Sequence, residues 1–179
     1  MKKLIALVLA LCAMLALVSC GGNDTTVPDG YKLASNSELC SYSLFVPETW
    51  IAQSDRTDYT IAAVSSTDSC SVSMANIEGD NLYGVTTVAD YWEHCKTQYT
   101  FLGDFAVSEE GTQVAFGADG HQGWRYRFTG TYNGTTYAYM QVFVIARDAF
   151  YCFTYTATAE DYDAHLTLVN EILSYIRLR

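Results

Sequence analysis

The sequence predicts an α+β fold built on a mostly antiparallel sheet that is covered on both faces. Three observations carry that expectation. Asn133-Gly134 separates two long strand-like stretches, Gly123 to Tyr132 and Thr135 to Ala146, and Asn-Gly is the pair best suited to a type I′ turn because both central residues need positive φ. Two other segments, Thr87 to Tyr99 and Thr158 to Ile176, repeat their apolar residues at helical spacing. Between those helices, Met140-Gln141-Val142-Phe143-Val144-Ile145 is apolar on nearly both faces, the pattern of a strand buried from two sides.

The chain opens with a different kind of segment. Residues 1–19 carry Lys2 and Lys3, then an uncharged apolar run from Leu4 to Val18, then a small residue before Cys20. A basic start, a short apolar stretch and a small-residue exit describe a secretory signal peptide. The run is shorter than the ~20 residues of an untilted membrane span. Leu17-Val18-Ser19-Cys20 resembles the lipobox of bacterial lipoproteins. That resemblance implies lipid on the Cys20 sulfur, cleavage just before it, and a protein held at the extracytoplasmic face of a bacterial membrane. Residues 20–30 then read as a polar, flexible tether, and residues 31–179 as one domain without repeats or internal linkers.

Within that domain, Tyr31-Lys32-Leu33-Ala34 and Cys40 to Val46 are short strands, the second ended by the turn Pro47-Glu48-Thr49-Trp50, because proline cannot donate to a ladder. Tyr59 to Val64 and Ser71 to Ile77 follow, separated by turn-forming Ser65-Ser66-Thr67-Asp68. In the first helix Thr87 is the N-cap, with Asp90 three residues on, and Val88, Tyr91, Trp92, Cys95 and Tyr99 form the apolar stripe. Weaker strands at Phe105 to Ser108 and Thr112 to Phe116 lead into the hairpin, and Arg147-Asp148 turns the chain into a third strand, Phe150 to Ala157. Thr158 and Asp161 cap the closing helix. Its stripe is Tyr162, Leu166, Val169, Leu173 and Ile176, and Arg177 and Arg179 suit its C-terminal dipole.

The early Tyr-rich strand, the Pro47-x-x-Trp50 turn, the Tyr91-Trp92 helix, the long Asn133-Gly134 hairpin and the run Tyr155-Thr156-Ala157-Thr158-Ala159 leading to Tyr162 resemble the PsbP-like family of bacterial lipoproteins, which have the Mog1/PsbP fold. The resemblance implies an α/β/α sandwich: a central, mostly antiparallel sheet of about six strands with helices on both faces. It also implies a binding or assembly role without catalysis. No functional residue of those relatives matches this chain, so none is carried over.

Composition narrows the function classes. With 20 acidic residues against 10 basic ones the formal charge is -10, and loss of Lys2 and Lys3 with the signal makes it -12. That balance argues against nucleic acid as a partner, because binding phosphates releases counterions only where Lys and Arg are abundant. Anionic lipid repels such a domain, so the acyl chains at Cys20 are the membrane determinant. The partner beyond the membrane is an unspecified protein or small molecule.

Four cysteines remain in the domain: Cys40, Cys70, Cys95 and Cys152. An exported chain is compatible with two disulfides, and the pairing Cys40–Cys70 with Cys95–Cys152 is one of three connectivities. The competing reading is four buried thiols acting as small hydrophobes. A redox module would lack its usual motif, since no Cys-x-x-Cys occurs. The same absence argues against a metal centre, and no cofactor motif is present. His94, His121 and His165 read as surface residues, which leaves Cys95 beside His94 without a catalytic partner.

Paired carboxylates supply the alternative function, a small cell-envelope hydrolase. Asp55 with Asp58, Glu109 with Glu110, and Glu160, Asp161 and Asp163 are the local groups, each falling at a turn or helix start where acids cap and solvate. Of the fourteen tyrosines, most belong to core stripes. Tyr137, Tyr139 and Tyr151 are the candidates for stacking on a ligand, because they lie near the hairpin turns.

Overall fold

The computed structural model describes residues 26–35, 40–54 and 60–179. The signal peptide, Cys20 and the Asp55/Asp58 pair lie outside the described residues. Among the described residues, eleven strands and two α-helices follow in order: β1 (Tyr31–Leu33), β2 (Tyr42–Ser43), β3 (Phe45–Pro47), β4 (Ile51–Ser54), β5 (Thr60–Val64), β6 (Ser71–Ile77), α1 (Val88–Gln98), β7 (Gly103–Phe116), β8 (His121–Tyr132), β9 (Thr135–Ala146), β10 (Ala149–Thr158), α2 (Tyr162–Tyr175) and β11 (Arg177–Leu178). The main sheet has seven strands in the order β4-β5-β6-β10-β9-β8-β7, and every neighbouring pair is antiparallel. This exceeds the expected six or so, chiefly because β4 is short and carries Ala52 and Gln53 in place of a strand-like alternation. No helix among the described residues is long and apolar enough to cross a membrane.

The meander β8-β9-β10 is the frame. Asn133 and Gly134 take φ of 48° and 82°, the left-handed pair a type I′ turn requires, and Tyr132 faces Thr135 across the hairpin. The next turn solves the same problem at greater expense: Arg147 and Asp148 sit at φ 52° and 61° without a glycine. At the start of α1, the Thr87 hydroxyl oxygen accepts the Asp90 N–H at 3.1 Å and donates to the Asp90 carboxylate at 2.7 Å, as the cap spacing predicts.

Alternation along the strands sorts the core into two clusters. Met140, Val142, Val144, Tyr151, Phe153 and Tyr155 belong to a cluster that includes Tyr162, Val169, Ile172 and Leu173 of α2. Tyr126, Phe128, Phe143, Phe150 and Cys152 belong to another, with Val88, Tyr91 and Trp92 of α1. Phe143 and Val144, or Phe150 and Tyr151, are chain neighbours yet serve different clusters, because successive strand side chains point to opposite faces.

Three sequence expectations change. The stretch Cys40 to Val46 is not one strand: it breaks at Leu44, whose N–H donates to the Ser35 hydroxyl at 3.0 Å and whose carbonyl accepts from Ala34 at 2.8 Å. β3 then pairs with β1, whereas β2 pairs with β11. The two weak strands before the hairpin are one, β7, with register shifts between Gly103 and Ala106, Val107 and Glu109, and Glu109 and Thr112. Arg177 and Arg179 do not end a helix: α2 stops at Tyr175, Arg177 enters β11, and Arg179 bonds Ser41 and Ser43.

Candidate functional site

The aromatic residues of the Trp92 cluster form a connected array that runs from the core into solvent. Trp92 stacks on Tyr126 with ring centroids 4.5 Å apart, Tyr99 stacks on Phe128 at 4.9 Å, and Phe128 stacks on Tyr139 at 4.8 Å. Beyond this point the array surfaces. Tyr137 and Tyr139 are half-buried, their rings 6.4 Å apart. Phe101, 63% exposed, meets Tyr132, 49% exposed, edge to face at 6.1 Å. Gly130 permits this arrangement, since a Cβ there would lie 2.8 Å from the Leu102 side chain. Phe101 and Tyr132 were not among the expected stacking residues. Tyr132 reads as core from its strand position, and nothing in the sequence places Phe101 beside it.

Tyr151 corrects the third stacking candidate. It is 1% exposed in the other cluster, where its hydroxyl donates to the Ser41 hydroxyl at 3.1 Å and its ring meets Tyr42 edge to face. The turn it follows is tight, so the strand enters the core within two residues.

Glu109 and Glu110, adjacent in the chain, take different partners. Glu109 lies 2.8 Å from Arg125 Nε and 3.1 Å from Arg127 Nε. Glu110 instead accepts Trp92 Nε1–H at 2.6 Å and Lys96 Nζ at 3.0 Å. Trp92 packs with Tyr126 and Phe128, and Arg125 and Arg127 alternate with those residues along β8, so the neighbouring glutamates reach opposite faces of the sheet. Burial opposes the Glu109 charge, but bonds from Arg125 and Thr112 and the two guanidinium charges outweigh it and hold its carboxyl below the usual range. Glu110 is lowered by Lys96 and then Trp92. Each carboxylate is thus engaged with its own cation instead of with its neighbour. Asp161 is occupied by the Thr158 hydroxyl at 2.7 Å.

All four cysteines of the domain are free thiols, which overturns the expected disulfides. Cys40 and Cys70 do share a cluster, as do Cys95 and Cys152, but membership of one apolar layer does not bring two sulfurs to bonding distance. Burial pushes the Cys95 thiol up to about 11 and those of Cys70 and Cys152 up to about 12. His94 does not point freely to solvent: its ring stacks on Tyr83 at 3.8 Å.

The fold assembles one group that sequence spacing did not reveal. Asp68 and Cys70, in the turn between β5 and β6, meet His165 in the first turn of α2. One ligand atom from each lies within 4.8 Å of the others, and Asp68 Oδ2 is 3.4 Å from His165 Nε2. The Cys70 N–H donates to Asp68 Oδ1 at 2.8 Å, and the Thr67 hydroxyl donates to Oδ2 at 3.2 Å. Burial works against the Asp68 charge, but the Cys70 N–H and His165 prevail and keep its carboxyl low. Cys70 is fully buried and so out of a substrate's reach, which sets the group apart from a nucleophilic triad.

No protein-family profile matches the sequence, and no curated protein matches it. Solved structures do. The cyanobacterial PsbP protein CyanoP from Synechocystis sp. PCC 6803 superposes with a TM-score of 0.57 at 17% identity, over 92% of this chain and 99% of its own. The chain has the Mog1/PsbP fold. A Pseudomonas aeruginosa protein of unknown function, PA94, gives 0.55 at 19% identity over 83% of this chain and 97% of its own. The Saccharomyces cerevisiae Ran-binding protein Mog1p gives 0.52 at 10% identity, over 77% and 90%. At such identities the likeness is one of fold, as the sequence resemblance implied.

Proposed function

We propose that this chain is a lipid-anchored, extracytoplasmic binding module without catalysis, an α/β/α sandwich with one helix over each sheet face, held at the membrane through Cys20. The aromatic array that surfaces at Phe101, Tyr132, Tyr137 and Tyr139 carries the reading. Aromatic rings offer large contact area at low conformational cost and are enriched where partners bind. Monomeric surfaces seldom gather them without use. Support for a non-catalytic role comes from the ion-paired state of Glu109 and Glu110 and from the fold shared with CyanoP and Mog1p, the latter a Ran-binding protein by name.

Site-specific photocrosslinking in cells tests the surface. A crosslinking residue at Phe101 or Tyr132 is expected to capture a discrete partner, while one at Glu171, exposed on α2, captures none. Equal labelling from all three positions, or none from any, refutes the assignment. For the anchor, Cys20→Ser is expected to move the protein from the membrane to the soluble fraction; quantitative membrane retention refutes it.

A further inference from the structure

We propose that Asp68, Cys70 and His165 form a metal site for Zn2+, holding the ion with one thiolate, one imidazole and one carboxylate and leaving a fourth position to water. Distance supports it first. Ligand atoms about 2.0–2.3 Å from a tetrahedral ion stand ~3.5 Å apart. Asp68 Oδ2 and His165 Nε2 already stand 3.4 Å apart, and one ligand atom from each of the three residues, the Cys70 sulfur included, lies within 4.8 Å of the others.

Donor chemistry selects the ion. A sulfur–nitrogen–oxygen set is unsuited to Mg2+ or Ca2+, which take oxygen ligands, and suits Zn2+, which accepts all three. Three protein ligands and one open position is the arrangement of accessible zinc sites. The surroundings fit as well. Both oxygens of Asp68 are oriented, by the Cys70 N–H and the Thr67 hydroxyl, the kind of outer bond that fixes a ligand's direction. Tyr155 borders the sulfur and is itself held by its bond to the Tyr162 carbonyl at 2.8 Å. The side chains of Asp68 and His165 remain 26% and 23% exposed, which gives the ion a way in past a buried cysteine. On binding, the Cys70 S–H proton leaves to solvent as the sulfur–zinc bond forms, and nothing is oxidised or reduced.

The test uses the full-length protein in detergent, stripped of metal by a chelator and titrated with Co2+ and then Zn2+. One equivalent of Co2+ is expected to raise a thiolate-to-cobalt charge-transfer band in the near ultraviolet, which one equivalent of Zn2+ abolishes. Cys70→Ser removes the band. Because Cys70 lies in the core, the partly exposed ligands provide independent variants: Asp68→Asn and His165→Gln each weaken Zn2+ binding by roughly tenfold or more, while Cys152→Ser leaves the band and the affinity unchanged. The proposal is overturned by absence of the band, by its persistence in Cys70→Ser, or by wild-type Zn2+ affinity in both partly exposed variants.

Discussion

Replacing Glu109 by Gln isolates the charge that joins β7 to β8. Its side chain is 19% exposed, and those of its partners Arg125 and Arg127 are 23% and 28% exposed, at 2.8 and 3.1 Å. Fully exposed pairs contribute ~0–1 kcal/mol and breaking a buried pair costs ~3–5 kcal/mol, so this half-buried fork is worth about 2 kcal/mol. Glutamine keeps the shape and one acceptor oxygen, so packing is nearly constant and the loss is electrostatic. The folded carboxyl is held low, so its stabilisation is fully present above the unfolded glutamate value of ~4.3 and is lost as pH falls through the folded value. Urea unfolding followed by tryptophan fluorescence is expected to show Glu109→Gln less stable by about 2 kcal/mol at pH 7 with the same m value, the gap shrinking on acidification toward about pH 3. A gap of equal size at both pH values, or none at pH 7, refutes the reasoning.

Other outcomes follow from the backbone and the thiols. Changing Arg147-Asp148 to Asn-Gly, which relieves two left-handed residues at φ 52° and 61°, should raise stability by roughly 1 kcal/mol in thermal unfolding. Gly117→Ala places a Cβ 2.6 Å from the Ile176 carbonyl oxygen at a φ of 71°, and a loss of about 2–4 kcal/mol is expected in the same assay. In a thiol-reagent assay near pH 8 the native domain should react slowly at Cys70, Cys95 and Cys152, whose thiols burial holds near 11 to 12. All four domain thiols should react once the chain is unfolded without reductant; fewer would mean a disulfide.

Much of this architecture was legible in the chain because it rests on local chemistry. Asn133-Gly134 specifies its own turn, Thr87 and Asp90 their own cap, and the apolar run through Met140 to Ile145 marks an inner strand of the sheet. What stayed hidden depends on distant partners. The break that separates β2 from β3, and the pairing of β2 with β11, depend on residues far apart in the chain, and no propensity marks Arg177-Leu178 as a strand in isolation. Glu109 and Glu110 look like a pair in sequence, yet the pleat separates them. Asp68, Cys70 and His165 lie on elements that only the packing of α2 brings together, so no local cysteine spacing marks them.

The outermost strand has a consequence for how copies of this protein behave at high density. β7 runs fourteen residues along the sheet edge, long enough for a second molecule to continue the hydrogen-bond ladder. Its three register shifts and the left-handed turns at Asp104 and Gly111 break that row of donors and acceptors into short, differently aimed pieces. Asp104 adds negative charge along it. Bulges and charge are how natural sheets blunt a free edge. The irregularity that made β7 read as two weak strands is therefore a safeguard: it lets neighbouring molecules crowd together without their sheets fusing into a fibre.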